Sequence, residues 1–501
     1  MALMVRLSTI SSVAGISPAA TMAETTSDRF DLVVLGAGTG GYAAAFRAAQ
    51  LGMRVALVDE DKIGGTCLHR GCIPTKALLE SADFYARVKK ASELGVTIDG
   101  GVGVDYPVIA ARRDAIVKRM WTGLRSLVKR NGVEWVQGRG RLDGPTTVRV
   151  ALAGEDGTPG GGGERTLEAH DVILATGSRT KSLPGLVPDG TRILTSDDVL
   201  RRQTLPASIA IVGAGAVGVE FASFFHDMGT QVTLLEYLPA IVPLEDADVS
   251  VVLERSFTKR GIQVITRARF DTASVVADEG GVHVDVGRDG EAGTREVRAE
   301  VMLVATGRAA NVEDVGLETT TAAIDRGIVV VDDHMRTAAD HLYALGDIVG
   351  GLWLAHTAAH EGLIAVHTIA GEDVEGMDYA QQPRATYCRP EIASVGLTEA
   401  QCADRGLPTK IGKVPFQAIA KAVIGGEHEG FAKVIAHAET GETLGVHIIG
   451  PHATDLIAEA SLAMVLEAQP WEIALATHPH PTNAEVLAEA AMAVDGRSIN
   501  F

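Results

Sequence analysis

Two cysteines five positions apart, Cys67 and Cys72, lie in the stretch GGTCLHRGCIPTKALL at residues 64–79 and make up half of the four cysteines in this 501-residue chain. Such a pair can staple a fold, hold a metal or carry electrons. Zinc would want two further Cys or His ligands at short spacing, and none follows, so no metal is expected. A staple across four intervening residues closes a tiny loop and adds little stability. Residues five apart in a regular helix are too distant for an unstrained bridge. The segment is therefore expected to unwind at Gly71 and to restart with Pro74 in its first helical turn. Cys72 then sits just before a helix N-terminus, where unpaired N–H groups and the helix dipole favour a thiolate. The pair reads as redox-active.

A second candidate for chemistry is THPHPTNAEVLAEAAMA near the C-terminus, with His478, His480 and Glu485. Thr482 and Glu485 fit a T-x-x-E capping box, which accounts for the glutamate without any reaction. Dithiol oxidation, however, needs an acceptor for thiol protons near neutral pH, and imidazole is suited to that.

Two elements could position such groups. FDLVVLGAGTGGYAAAFRAAQLGMRVALVDED gives a short apolar strand, a turn with Gly36, Gly38 and Gly41, an Ala-rich helix, and a second strand ending at Asp59. SIAIVGAGAVGVEFASFFHDMGTQVTLLEYL repeats the pattern with Gly213, Gly215, Gly218 and Glu236. Each acid lies 23 residues after the first glycine of its unit. The glycines permit a tight turn and close approach of backbone to a pyrophosphate, the helix start favours the anion, and the acid can accept from ribose hydroxyls. Two complete units imply two dinucleotides. Glu236 repels a 2′-phosphate, and EYLPA supplies no Arg to receive one, which favours NAD over NADP. VILATGS and MLVATGR each end a strand in a Gly turn, and Asp347 follows the strand of LYALGD.

Apolar residues at 46%, charged residues at 22% and a net charge of −19 describe a globular chain that repels nucleic acid and anionic membranes. No stretch approaches the ~20 apolar residues of a membrane span. Few cysteines suit a reducing compartment, bacterial cytoplasm first and mitochondrial matrix as the alternative. Residues 1–27 lack aromatics and precede the first strand, and are expected to form a disordered extension.

Taken in order, Gly36–Gly41, GGTCLHRGCIPTKALL, ATGS, GAGAVGVE, ALGD and HPHPTNAE resemble the flavoprotein pyridine-nucleotide disulfide oxidoreductases, over about residues 29 to 496. Within that family the chain is most similar to the dihydrolipoyl dehydrogenases, the E3 components of 2-oxo acid dehydrogenase complexes. The resemblance implies an α/β fold with two Rossmann-like dinucleotide domains and an α+β dimerisation domain. The expected division is 28–180 and 307–378 for FAD, 181–306 for NAD and 379–501 for the dimer contact. It implies FAD along Gly36, Gly38, Gly41, Asp59, Gly65, Thr66 and the Thr176, Gly177, Ser178 turn. Lys76 would lie near the flavin and Gly140 near the adenine, while Asp347, Leu354, Ala355 and His356 would close over the ring. Glu220 would pair with Lys76, Gly213, Gly215, Gly218 and Glu236 would hold NAD, and Gly307 would line the nicotinamide channel. The catalytic set implied is Cys67, Cys72, His480 and Glu485, with the histidine supplied by the second subunit of a homodimer. Dihydrolipoamide on the lipoyl domain of an E2 core would be the substrate. The alternative is an NAD(P)H-dependent reductase of glutathione or mycothiol type. His69-Arg70 departs from the Asn-Val common in the family; Arg70 either lowers the thiol pKa values or is a solvent-facing loop charge. Cys388 and Cys402 read as small buried hydrophobes.

Overall fold

The computed structural model describes residues 28–154, 158 and 160–501, so the expectation for residues 1–27 lies outside the described residues. Strand β1 (Arg29–Leu35) is buried from Leu32 onward, as a central parallel strand covered on both faces must be. A Gly turn leads into helix α1 (Thr39–Gln50), and strand β2 (Val55–Asp59) returns parallel to β1. The small face of α1 allows backbone contact: a Cβ on Gly40 would stand 2.9 Å from the Ala358 carbonyl oxygen. Helices α2 (Gly65–Arg70), α3 (Cys72–Lys89) and α4 (Tyr106–Arg130) follow, then strands β3 (Glu134–Leu142), β4 (Thr147–Leu152) and β5 (Glu164–Leu174). The parallel sheet runs β3-β2-β1-β5, with Leu342–Ala344 added at the β5 edge. Strands β3 and β5 run on past that sheet and pair antiparallel with β4.

A second sheet repeats this order. Gln263–Ile265, Gln231–Leu235, Ser208–Val212, Val301–Val304 and Ile193–Leu194 lie side by side, all parallel. In both sheets the strand carrying the Gly turn is central and the strand order reverses beside it, which opens a crevice at the carboxyl ends. An antiparallel hairpin layer, centred on Gly281–Arg288, covers the second sheet through Val282, Val284 and Val286. The third unit is a five-stranded antiparallel sheet, Arg384–Thr386, Glu391–Gly396, Thr443–Gly450, Phe431–His437 and Thr409–Pro415. Helices Ala453–Val465 and Glu485–Ala493 share its apolar core through Ile457 and Leu487. The second and third units are joined by buried ions: Asp227 binds Arg260 and Arg389, and the fully buried Lys433 reaches Asp246 at 2.9 Å. This is the α/β architecture expected, two parallel dinucleotide-type sheets and an antiparallel unit. Among the described residues, no helix is long and apolar enough to cross a membrane.

Candidate active site

The two Gly turns have nearly the same internal geometry. Gly36 and Gly213 are left-handed, with φ +107° and +98°, and a Cβ on either would strike the carbonyl oxygen of Ala175 or Ala305, the first residues of the two ATG turns. A Cβ on Gly41 would lie 1.9 Å from the Gly36 oxygen, and one on Gly218 would lie 1.8 Å from the Gly213 oxygen. Those four glycines are demanded by the protein's own packing. Gly38 and Gly215 are not, since an added Cβ would meet nothing within 4 Å. Each is the N-cap of its helix, and neither helix has a side-chain cap or an acidic residue in its first turn. Open space in front of uncapped N–H groups is what a phosphate-bearing ligand fits.

The strand-end acids brace these turns. Asp59 accepts from Ala37 N–H at 2.6 Å and Asp61 N–H at 2.8 Å; burial raises its pKa despite those bonds. Glu236 accepts from Ala214 N–H at 2.7 Å and Leu238 N–H at 2.8 Å. Gly140 lies within β3, where a Cβ would come 2.4 Å from Leu35 Cδ1, so sheet packing alone accounts for it.

Helices α2 and α3 break at Gly71, as the spacing required; a Cβ there would press to 3.0 Å from the Thr66 oxygen. Cys72 is the first residue of α3 and Pro74 its third. The sulfurs are free thiols in the structure and share a side-chain hydrogen bond. That bond lowers the Cys72 pKa to about 7 against the effect of burial, with help from the Lys76 charge. The Cys67 thiol is correspondingly pushed up, first by the same bond and then by burial. Thr39 opposes this through a side-chain hydrogen bond to Cys67, and also bonds Tyr42. The redox segment thus abuts the first Gly turn, and a Cβ on Gly65 would lie 2.7 Å from Gly38 Cα. Arg70 is a part-exposed charge paired with carboxylates, as in the second of the two readings, but it sits on α2 and not in a loop. Its guanidinium lies 3.3 Å from Asp61 and 3.9 Å from Asp197, and Lys76 is the cation that acts on both thiols.

Lys76 and Glu220 form a two-pronged pair, with Nζ 2.9 and 2.8 Å from the carboxylate oxygens. Burial works against the lysine's charge, but Glu220 outweighs it and holds the Lys76 pKa above its ordinary value. Glu220 also accepts from Tyr387 N–H at 2.9 Å, and the Lys76 ammonium stands 4.7 Å from the Tyr387 ring. One side chain from each of the first two units and a backbone segment of the third therefore meet beside Cys72. Ser178 donates to Asp347, Arg308 Nε donates to Ser178 Oγ at 2.6 Å, and Arg308 lies 3.7 Å from Asp347, which gathers ATGS, ATGR and ALGD at one point. Thr176 Oγ1 donates to the Asn311 carbonyl at 2.8 Å, and Gly177 is left-handed with φ +70°. Leu354 is the N-cap of Ala355–Ile369, and His356 Nε2 is tied to the Pro383 carbonyl at 2.7 Å. Gly307 is left-handed, φ +108°, with open space where a Cβ would be.

His480 and Glu485 stand apart from the thiols in sequence and are joined to each other, Nδ1 to Oε1 at 2.8 Å, with 71% of the imidazole exposed. Glu485 also accepts from Thr482 N–H at 2.8 Å. Burial would raise Glu485, but the bonds from His480 and Thr482 prevail and hold it below the usual carboxylate value. Only this half of the capping box forms. Thr482 Oγ1 has no partner, and the helix starts at Glu485 with Ala484 as its N-cap. His478 is buried between the Ala476 carbonyl and Glu459, in a supporting position. Cys388 donates to the Pro390 carbonyl from full burial, which raises its pKa, and Cys402 is also buried. Four contributors were not singled out from sequence: Thr39, Tyr42, Arg308 and Tyr387. Thr39 alone carried a signal, as the residue inside the first Gly turn.

Residues 30–362 match the family model described as pyridine nucleotide-disulphide oxidoreductase, and residues 382–491 match the dimerisation domain of that family. The chain is 46% identical over 476 residues to a dihydrolipoyl dehydrogenase of Bacillus subtilis, covering 94% of this chain and 99% of the relative. A dihydrolipoyl dehydrogenase of Zymomonas mobilis is 40% identical, with 95% and 100% covered. The fold is similar to the crystal structure of LpdA from Mycobacterium tuberculosis, with a TM-score of 0.84 and 30% identity over 92% of this chain and 98% of that one.

Proposed function

The chain belongs to the pyridine nucleotide-disulphide oxidoreductases, and on that premise we propose that it acts as a dihydrolipoyl dehydrogenase, reoxidising dihydrolipoamide with NAD+ as acceptor. The observation that carries this is the Cys67–Cys72 pair, seated between the first Gly turn and the Lys76–Glu220 pair. FAD would be held by Gly36, Gly38, Gly41, Asp59, Gly65, Thr66, the Thr176–Ser178 turn and Asp347, with Gly140 near the adenine and Lys76, Leu354, Ala355 and His356 toward the ring. NAD would be held by Gly213, Gly215, Gly218 and Glu236, with Gly307 toward the nicotinamide, while Glu220 would pair with Lys76 beneath the flavin. We divide the chain accordingly into 28–180 with 307–378 for FAD, 181–306 for NAD and 379–501 for the dimer contact. Bound there, FAD would supply the two-electron chemistry that links the dithiol to NAD+.

The protein's own part begins with Cys67 and Cys72 joined as a disulfide. His480 presents Nε2 to solvent because Nδ1 faces Glu485, so Nε2 is the atom that takes a proton. In the homodimer, the partner subunit's His480 removes the proton from one dihydrolipoamide thiol. That thiolate attacks Cys67 Sγ, the Cys67–Cys72 bond breaks, and Cys72 leaves as a thiolate. A thiol with pKa about 7 is a good leaving group at neutral pH, and the positive charge of Lys76 supports it. The second substrate thiol displaces Cys67 from the mixed disulfide; lipoamide departs oxidised and the two protein sulfurs hold the electron pair. Dihydrolipoamide would be delivered on the lipoyl domain of an E2 core, in a bacterial cytoplasm or, alternatively, a mitochondrial matrix. Steady-state rates decide the matter. Dihydrolipoamide with NAD+ should be turned over far faster than glutathione disulfide with NADPH, and the reverse preference would replace this reading with a low-molecular-weight disulfide reductase.

A further inference from the structure

His170, Asp171 and His341 converge at the end of the first sheet opposite its Gly turn. Asp171 sits in β5 immediately before the segment that reaches Ala175, and its side chain is 7% exposed. Its two carboxylate oxygens face different imidazoles, His170 Nδ1 at 2.6 Å and His341 Nδ1 at 3.1 Å. The two rings meet edge to face, with centroids 4.9 Å apart. All three candidate ligand atoms lie within 4.8 Å of one another. The backbone holds this arrangement rather than leaving it to side-chain chance. The His341 carbonyl accepts from Val172 N–H at 2.9 Å, which pins His341 beside Asp171, and His341 adopts a left-handed φ of +63° to get there. Asp31 adds negative charge beside His170. The imidazoles are 72% and 49% exposed in this chain, so the buried carboxylate has solvent-open ligands above it.

We propose that His170, Asp171 and His341 form a three-ligand site for a borderline divalent transition cation such as Zn2+, separate from the redox centre. Two imidazole nitrogens and one carboxylate, with a position left for water, is a donor set such cations accept. Tetrahedral ligands on zinc stand about 3.3 Å apart, so His170 Nδ1 would move out from 2.6 Å while His341 Nδ1, at 3.1 Å, stays near its place, both being adjustments of solvent-open side chains. Asp171 and His341 are 170 residues apart in sequence, so a search for ligands around the cysteines could not find them. The cation would tie β5 to the returning strand Leu342–Ala344, which leads directly to Asp347.

The test uses the oxidised holoenzyme, stripped with chelator and dialysed against Zn2+, with metal counted by atomic absorption. The parent should retain one more equivalent per chain than His170→Ala and than His341→Asn; asparagine suits the left-handed backbone at 341. Zinc should also raise the Tm of the parent and leave that of both variants unmoved. Should His341→Asn fail to fold, His170→Ala changes an exposed side chain and must still lose the equivalent. Equal zinc content in the parent and His170→Ala, or no zinc-dependent rise in the parent's Tm, overturns the site and leaves two histidines that merely neutralise Asp171.

Discussion

The two Gly turns are built alike and enclosed differently. Both have a left-handed first glycine, a close approach at the third, and a strand-end carboxylate holding the loop N–H, Asp59 in one and Glu236 in the other. The first turn is walled in: the α2 backbone abuts Gly38, and helix Ala355–Ile369 packs against Gly40. The second is open, with Val217, Tyr237 and Leu238 exposed around it. A ligand in the first turn is enclosed by the element that carries the thiols, whereas one in the second can come and go. The contrast matches a resident cofactor and an exchanging substrate, produced from one supersecondary unit by what is packed on it.

The contrast can be broken most severely at Gly38. Gly38→Val places a side chain in open space, so the protein should fold, yet purify colourless and without activity; a yellow, active variant would mean the cavity in front of α1 is not where the flavin lies. His480→Gln comes next. It should cut dihydrolipoamide oxidation by about 10²- to 10⁴-fold and leave the retained flavin content unchanged, since it touches neither turn. Gly215→Val should remain yellow but raise the KM for NAD+ about tenfold or more. Equal loss of flavin in the two valine variants would erase the distinction. Smaller effects sharpen the thiol side. Cys72 titrates near 7, so in the reduced protein its thiolate is present above that pH and is lost as pH falls below it. Lys76→Met should move the midpoint of Cys72 alkylation by iodoacetamide upward by about one pH unit. Arg70→Val should leave that midpoint where it is, because Arg70 is engaged by Asp61 and Asp197.

Much of this was legible in the sequence because it is local. Strand, Gly turn, helix and strand-end acid fall within about 30 residues, and each has its own steric or electrostatic reason. The break at Gly71 followed from bridge geometry, and the restart of a helix with Pro74 in its first turn followed from the proline, although the helix begins at Cys72 itself and not after it. The pairing of Lys76 with Glu220 spans 144 residues and came from resemblance, not from spacing. What escaped was non-local or conformational: Arg70 finding Asp197, Arg308 joining Ser178 to Asp347, and Tyr387 delivering a backbone N–H to Glu220. Thr482 shows the opposite failure. A perfect T-x-x-E pattern gave only half of the capping box: Glu485 holds both His480 and the Thr482 N–H, but the helix starts at Glu485 itself, so the Thr482 hydroxyl finds no N–H to cap.

The strand Leu342–Ala344 completes the first sheet, although the whole second sheet, from Ile193 to Val304, lies between it and β5 in the chain. During synthesis the N-terminal unit must therefore wait on the ribosome with its β5 edge bare. Everything belonging to the second sheet has emerged before that edge can be covered. A chain cut short after residue 310 and released should hold the second sheet finished and the first still unsealed.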